Sequence, residues 1–229
     1  MKQYFVTGTD TEVGKTYVTC HLLRAATKAQ LKSVGYKPIA AGCELIDGEW
    51  VNEDAANIQQ ASGLALPINE INPIALKPPI APHIAAKEAG VQLTQASIDK
   101  GLRHLESYQP DFLLMEGAGG WRLPLSIGNE TTPTHYLSDV VKALKMDVIL
   151  VVGMRLGCLN HALLTAEAIR SDGLTIKGWV ANDVTGNMSR YQENLASLCD
   201  MLPEPLLAEI PYQSEPADDV LQQAIEQLC

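Results

Sequence analysis

The segment Gly8–Thr16 has the composition of a phosphate-binding turn. It reads Gly-Thr-Asp-Thr-Glu-Val-Gly-Lys-Thr, follows the apolar residues 4–6 and precedes a helical pattern. In such turns the backbone N–H groups at a helix N-terminus carry partial positive charge, a lysine contacts the β- and γ-phosphates, and a threonine hydroxyl ligates Mg²⁺. The spacing is unusual, because five residues separate Gly8 from Gly14. The turn predicts a nucleoside triphosphate ligand, the alternative being an ordinary glycine-containing β-turn.

Two charged residues lie at predicted carboxyl ends of strands. Lys37 stands directly before Pro38, and Glu116 follows the apolar run Phe112–Met115. In open α/β sheets the ligand crevice lies at the carboxyl ends of the strands. Lys37 is therefore predicted to face the phosphates, unless it stays exposed in water. Glu116 is predicted to be a metal ligand beside the phosphate loop, rather than a simple strand-terminating acid.

Three other polar residues give weaker signals. Asp54 is explained by the preference for acids in a first helical turn. Asn182 and Asp183 follow a predicted strand, where P-loop folds often read the base, and an asparagine amide suits adenine. Val184 comes next, so the Asn-Lys-x-Asp element of guanine-specific proteins is missing. Adenine is favoured over guanine.

Short apolar runs alternate with segments whose apolar residues recur at helical spacing. The predicted strands are residues 4–7, 33–39, 112–115, 148–152, 178–181 and 206–210. The predicted helices are residues 15–30, 94–108, 135–144, 160–171, 190–201 and 217–228. This βαβ alternation predicts a P-loop NTPase-type three-layer α/β fold in one domain, 1–229, with a mostly parallel sheet and helices on both faces.

Two segments do not follow the alternation. Residues 67–82 hold five of the 13 prolines, and residues 117–133 are rich in Gly, Thr and Pro. Both are predicted to be long loops with a role in binding.

The amino-acid composition limits which classes of partner the protein is expected to bind and in which cellular compartment it is expected to work. A net charge of −10 without a Lys/Arg cluster opposes binding to nucleic acids or anionic membranes. Five cysteines without a C-x-x-C pair favour reduced thiols and the cytoplasm. No apolar run approaches the length of a membrane span. The five histidines do not have the spacing of metal ligands. The sequence has no nucleophile motif, so covalent catalysis is not expected.

Taken in order, the motifs of this chain resemble those of the dethiobiotin synthetases. They are Gly8–Thr16, Gly35–Pro38, Glu116–Gly120, Val152–His161 and Val180–Val184, and they span nearly the whole sequence. The resemblance implies a homodimeric P-loop enzyme that uses ATP and Mg²⁺. It implies conversion of 7,8-diaminopelargonate and CO₂ into dethiobiotin, ADP and phosphate, through a carbamate and a carbamic-phosphoric anhydride.

The resemblance also implies roles for matching residues. Those implied to bind the nucleotide are Thr11, Glu12, Val13, Gly14, Lys15, Thr16, Asp54, Glu116, Gly117, Ala118, Gly119, Asn182, Asp183, Pro211, Tyr212 and Gln213. Those implied to hold Mg²⁺ are Thr16, Asp54 and Glu116. Those implied to bind the diamine are Thr11, Lys37, Ala41, Cys158 and Asn160. Lys15 and Lys37 are the implied catalytic cations.

Two details of the substrate site qualify the resemblance. Cys158 and Asn160 are implied to serve the neighbouring subunit, since a helix N-terminus attracts a carboxylate; a glycine turn with an asparagine cap is the structural alternative. Ala41 stands where the family commonly carries Ser or Thr, so a weaker contact, a water or Cys43 is expected to replace that hydroxyl.

Two other P-loop classes are the rival interpretations. Partition and septum-placement ATPases switch on nucleotide without synthesis, and they carry an extra lysine early in the phosphate loop. Residues Thr9–Glu12 contain none. The synthetase-like domain attached to glutamine amidotransferases in corrinoid synthesis is the second rival, and this sequence contains no such partner domain.

Overall fold

A six-stranded parallel sheet forms the centre of the computed structural model, which describes residues 1–229. The strands are β1 Lys2–Gly8, β2 Ser33–Tyr36, β3 Ile39–Ala41, β4 Glu44–Ile46, β5 Glu49–Val51, β6 Ile74–Leu76, β7 Phe112–Gly120, β8 Pro124–Ser126, β9 His135–Tyr136, β10 Asp147–Met154, β11 Ile176–Asp183 and β12 Leu206–Ile210. The helices are α1 Lys15–Lys28, α2 Glu53–Ala61, α3 Ile68–Ile71, α4 Pro82–Glu88, α5 Gln95–Glu106, α6 Leu137–Leu144, α7 Cys158–Ser171, α8 Tyr191–Met201 and α9 Asp218–Leu228.

The central sheet has the strand order β12-β11-β10-β1-β7-β2, with every pairing parallel. Strands β7 and β10 are nearly continuous apolar runs, and residues 112–117 and 148–154 are all buried. Such runs are typical of strands covered on both faces. The predicted mostly parallel sheet with helices around it is confirmed.

The chain order reverses at β1, which lies between β10 and β7. Ligands of open α/β sheets bind outside the carboxyl ends of the strands at such a point. The segment that follows β1 is the phosphate loop, so the sheet presents this loop at the centre of the crevice.

The predicted strand 33–39 is divided in the structure. Strand β2 ends at Tyr36, and β3 begins at Ile39 and pairs with β6 instead of the central sheet. Pro38 has no N–H to donate to a ladder. The break places Lys37 at the turn between the two sheets.

The prediction of a long loop over residues 67–82 was wrong. This segment contains α3, β6 and the first residue of α4. Pro67 and Pro82 lie at the starts of α3 and α4, where a missing N–H has no intrahelical partner to lose. The predicted loop 117–133 is also shorter than expected, because β7 continues to Gly120 and β8 follows at Pro124.

None of the helices combines the length and apolar character needed to cross a membrane.

Candidate active site

The phosphate loop connects β1 to α1 and uses two residues with positive φ. Glu12 has φ 57°, and Gly14, the N-cap of α1, has φ 80° and no side-chain cap. The first N–H groups of a helix have no intrahelical partner, so they remain available for an anion. A side chain at Gly14 would collide with the Asn182 amide. The loop therefore requires glycine for both conformation and space.

Lys15 is buried at the start of α1 and folds back over the loop. Its Nζ donates to the Asp10 carbonyl at 3.0 Å, and the residue is 8% exposed. Burial lowers the pKa of Lys15 to about 8, and Lys37 also lowers it, while Glu116 and Asp54 act in the opposite direction. Because an ammonium group has three donors, two N–H groups remain for phosphate oxygens.

Lys37 lies in a buried cluster with two carboxylates. Its Nζ is 2.6 Å from Glu116 Oε1 and 3.0 Å from Asp54 Oδ2. Burial disfavours the charged ammonium, but the two carboxylates outweigh burial and raise the pKa of Lys37. Burial acts to raise the pKa of Asp54, but the Lys37 charge prevails and lowers it. Lys37 is 4% exposed, so the alternative of a solvated lysine is excluded.

The proline-rich segment fixes the backbone of Lys37. The Lys37 N–H donates to the Ile71 carbonyl at 2.9 Å, and Asn72 Nδ2 donates to the Lys37 carbonyl at 2.6 Å. Both Ile71 and Asn72 are buried. Sequence reasoning missed Asn72, for which the only local signal was a polar residue between apolar ones, directly before Pro73.

Asp54 reaches the cluster from the first turn of α2. Asn52 caps this helix, with its Oδ1 accepting the Ala55 N–H at 3.3 Å, and its Nδ2 donates to the Ala41 carbonyl at 3.0 Å. The acid in the first turn thus complements the helix dipole and also pairs with Lys37. Sequence reasoning assigned only the first role from the residues and missed Asn52, although an Asn before Glu-Asp is a recognisable cap pattern.

The oxygen atoms beside Lys37 fit a hard divalent cation. Thr16 Oγ1 donates to Glu116 Oε1 at 2.7 Å, and Glu116 Oε2 is buried without a partner. An unpaired buried carboxylate oxygen is costly, so a cation here would stabilise it. No group of three or more His, Cys, Asp or Glu side chains could hold a metal alone. One or two carboxylates completed by phosphate oxygens are typical of Mg²⁺.

These groups open into a cleft of about 1000 Å³. The sequence-predicted residues that line it are Thr11, Glu12, Gly14, Lys15, Thr16, Lys37, Ala41, Asp54, Ala118 and Gly119. Cys43 does not line the cleft, because it is buried with its Sγ 3.8 Å from the Ala40 carbonyl. A second cleft of about 1040 Å³ lies between α4 and α6, but it is lined by a single lysine, Lys87, and by no part of the phosphate loop.

The predicted base-binding residues lie outside the phosphate-loop cleft, at the ends of β11 and β12. Asn182 Nδ2 donates to the Val13 carbonyl at 2.9 Å, so this amide supports the phosphate loop, a contact that sequence reasoning missed. Asp183 Oδ1 accepts the N–H groups of Thr185 and Gly186 at 3.1 and 2.8 Å. Tyr212 packs its ring against Gly186. Pro211 and Gln213 flank this ring and are exposed.

Cys158 and Asn160 lie in the first turn of α7 and do not line the cleft of their own chain. Gly157 is the N-cap with φ 97°, and no side chain caps the helix, so the alternative of an asparagine cap was wrong. Cys158 is buried, whereas Asn160 is exposed between Leu156 and Leu164, which are 96% and 57% exposed.

An ion pair that sequence reasoning missed joins the α7 turn to the phosphate loop. Arg155 donates to Asp10 Oδ2 at 2.8 Å, while the other carboxylate oxygen of Asp10 accepts the Thr11 N–H at 2.7 Å. Asp10 lies within the phosphate-loop motif and Arg155 lies within the motif Val152–His161. In both motifs, other residues indicated ligand binding, and the sequence did not indicate that these two form a pair.

Comparison with known proteins gives consistent results. A family model described as an AAA domain matches residues 2–218. An ATP-dependent dethiobiotin synthetase of Alteromonas mediterranea is 78% identical over 100% of both chains. One of Pseudomonas aeruginosa is 49% identical over 94% of this chain and 92% of its own. Among solved structures, the septum site-determining protein of Pyrococcus horikoshii complexed with Mg-ADP has a TM-score of 0.54 and 16% identity, covering 98% of this chain and 88% of its own. That likeness shows a shared P-loop fold alone.

Proposed function

The chain belongs to the ATP-dependent dethiobiotin synthetases, and on that premise we propose that its cleft converts 7,8-diaminopelargonate, CO₂ and ATP into dethiobiotin, ADP and phosphate. The observation that carries this proposal is the buried cluster of Lys37, Asp54 and Glu116 beside the phosphate loop. The γ-phosphate is proposed to lie beside this cation, where two anions must meet.

The phosphate loop is proposed to bind the triphosphate of ATP. The N–H groups from Glu12 to Thr16 and the free donors of Lys15 neutralise the phosphate oxygens. Gly117, Ala118 and Gly119, at the end of β7, allow the ligands to approach the backbone closely. Thr16, Asp54 and Glu116 are proposed to hold Mg²⁺, which when bound supplies charge neutralisation at the β- and γ-phosphates.

Lys37 is proposed to align the substrate with ATP. Two of its three N–H donors contact Glu116 and Asp54, so one donor remains for an oxygen of the substrate carbamate or the γ-phosphate. One amine forms an N–C bond with CO₂ and loses a proton to solvent, and an oxygen of the resulting carbamate attacks the γ-phosphorus with departure of ADP. The second amine then attacks the activated carbonyl carbon, phosphate departs, the nitrogen loses a proton to solvent and the ring closes. Positioning and cationic stabilisation suffice, without a protein nucleophile.

The diamine is proposed to lie between two subunits, with Thr11, Lys37 and Ala41 from one chain. Cys158 and Asn160 of the neighbouring chain receive its carboxylate at the N-terminus of α7. Asn160 and Leu164 are exposed one turn apart on α7, and Leu156 is exposed in the turn before the helix, which suits an interface between copies. The free cysteines suit a reducing compartment, so we place the homodimer in the cytoplasm, without nucleic-acid or membrane partners.

The test is ADP release measured with MgATP, bicarbonate and the diamine, omitting each in turn. Release that requires all three, with dethiobiotin formed in equal amount, supports the proposal. Release that continues without diamine and bicarbonate would instead support the partition-type switch ATPase. The phosphate loop of the chain lacks the additional lysine of that class.

A further inference from the structure

The segment Pro211–Glu215 forms one wall of the proposed base site and belongs to neither β12 nor α9. Its five residues are all exposed. Tyr212 anchors one end by packing against Gly186. A hydrogen bond and an ion pair link this segment to α1, the helix that begins at the phosphate loop.

Two side chains of α1 contact the other end of the segment. Tyr17 donates its hydroxyl to the Ser214 carbonyl at 3.2 Å. His21, one turn later, approaches Glu215 Oε2 with its Nδ1 at 3.5 Å. The two rings meet edge to face with centroids 4.4 Å apart. Tyr17 also lines the cleft, so one side chain contacts both the cleft and the base-side segment.

His21 provides a rigid support for Tyr17. It is 2% exposed, and its Nε2 is buried without a partner. Burial lowers the pKa of His21 despite the nearby Glu215 carboxylate, which favours the neutral ring. A neutral, enclosed imidazole fixes the Tyr17 ring by packing, and the Tyr17 hydroxyl in turn fixes a backbone carbonyl of the segment.

We propose that Tyr17 and His21 are positioning residues for the nucleotide base. They hold residues 211–215 against the first turns of α1, so that the base is enclosed by this segment and residues 182–186 at the end of β11. The inference rests on the proposed base site. The two side chains contact the segment that borders this site, not the reacting atoms, so they act on ATP affinity and base preference rather than on phosphoryl transfer. A further contact on the same face of α1, between Lys28 and Asp218, ties the helix to the start of α9.

The test compares Tyr17→Phe with Tyr108→Phe in the full-length enzyme. Each variant loses one hydroxyl hydrogen bond and keeps its ring, but Tyr108 contacts Glu70, away from the cleft. For Tyr17→Phe we expect the KM for ATP to rise about 3- to 10-fold, the range for loss of one neutral hydrogen bond. The kcat at saturating ATP and the KM for the diamine should not change, and the preference for ATP over GTP should fall. Tyr108→Phe should match the wild type.

Chymotrypsin provides a readout that does not depend on turnover. In the nucleotide-free enzyme, cleavage after Tyr212 should be faster in Tyr17→Phe than in the wild type, and ATP should protect both. His21→Gln should raise the KM for ATP in the same way, because it removes the ring that supports Tyr17.

Tyr212→Ala separates the two levels of the proposal. If Tyr212→Ala raises the KM for ATP and Tyr17→Phe does not, the positioning role is overturned and the base site stands. If neither variant changes the KM for ATP, the base site itself is wrong and the inference fails with it. A lower kcat in Tyr17→Phe with an unchanged KM for ATP also overturns the inference.

Discussion

The two ends of the nucleotide site are built in opposite ways. At the γ-phosphate end, Lys37 and Glu116 are 4% and 1% exposed, and each is held by the other's charge. At the base end, Tyr212 is 42% exposed, and its segment is held by single contacts from neighbouring elements.

The difference follows from what each end must do. Charge develops where carbamate meets phosphate, and fixed charges in a site shielded from water stabilise it without reorganisation. The base undergoes no reaction, so contacts there contribute affinity equally before and during the reaction and act mainly on KM. The buried end should therefore control kcat, and the exposed surfaces should control binding.

The largest effect is expected for Lys37→Ala. We expect kcat to fall by about 100- to 1000-fold, as for removal of an oxyanion-stabilising donor, with a smaller change in the KM for ATP. The variant also leaves Glu116 buried without its cation, so the free energy of unfolding should fall by about 3–5 kcal/mol, measured by urea denaturation. Lys100→Ala, which removes an exposed lysine on α5, should change neither quantity. Near-wild-type turnover in Lys37→Ala would contradict the claim that the buried γ-phosphate end controls kcat.

The second prediction concerns the pH dependence of ATP binding through Lys15. Since burial lowers the pKa of Lys15 to about 8 in the free protein, its charge is present below that pH and is lost above it. The phosphates favour the charged form, so the KM for ATP should be constant below pH 8. Above it, the KM should rise by about tenfold for each pH unit. Lys15→Arg, whose charge does not titrate, should abolish this rise; an identical pH profile in both proteins contradicts the assignment.

The third prediction concerns the surface of α7. Asn160→Ala should raise the KM for the diamine by about tenfold, the low end for a hydrogen bond to a charged group, with little change in kcat or in the KM for ATP. Asn69→Ala, at an exposed position on α3, is the matched control. Sedimentation at assay concentration tests the interface itself, since a fully active monomer is incompatible with a site shared between subunits.

The smallest effect is expected for Ala41→Ser. Ala41 is half-buried and lines the cleft, so a new hydroxyl that makes one hydrogen bond should tighten diamine binding by about 0.5–1.5 kcal/mol. The Cys43 thiol contacts the Ala40 carbonyl and does not line the cleft, so it does not occupy the position of the new hydroxyl. Titration of the diamine against both proteins decides the point: unchanged or weaker binding means that the chain recognises the substrate without this hydroxyl.

Periodicity and local motifs were sufficient to predict the central sheet. All six predicted strands exist, and the helices begin and end within two residues of the predicted bounds. The strands exist because their central residues are predominantly apolar and buried. The single-domain organisation stays a prediction.

The contacts that position the site could not be predicted in the same way. Asn72 holds the Lys37 carbonyl, and Asn182 holds the Val13 carbonyl, across 35 and 169 residues of sequence. In both cases the hydrogen-bond acceptor is far from the asparagine in sequence, because the two groups meet only in the folded chain. Local sequence patterns therefore could not predict either contact. The residue roles at the site remain predictions for the variants above to test.

The position of β1 in the sheet also bears on how such enzymes can diverge. The acids and Lys37 are carried by β7, β2 and α2 on one side of β1, and the base-side loops by β11 and β12 on the other. Asn182 contacts the phosphate loop, so substitutions there affect both flanks. Substitutions within the exposed segment Pro211–Glu215 can change nucleotide preference without altering the residues around Lys37, so the nucleotide that the enzyme uses can evolve separately from the bond-forming reaction.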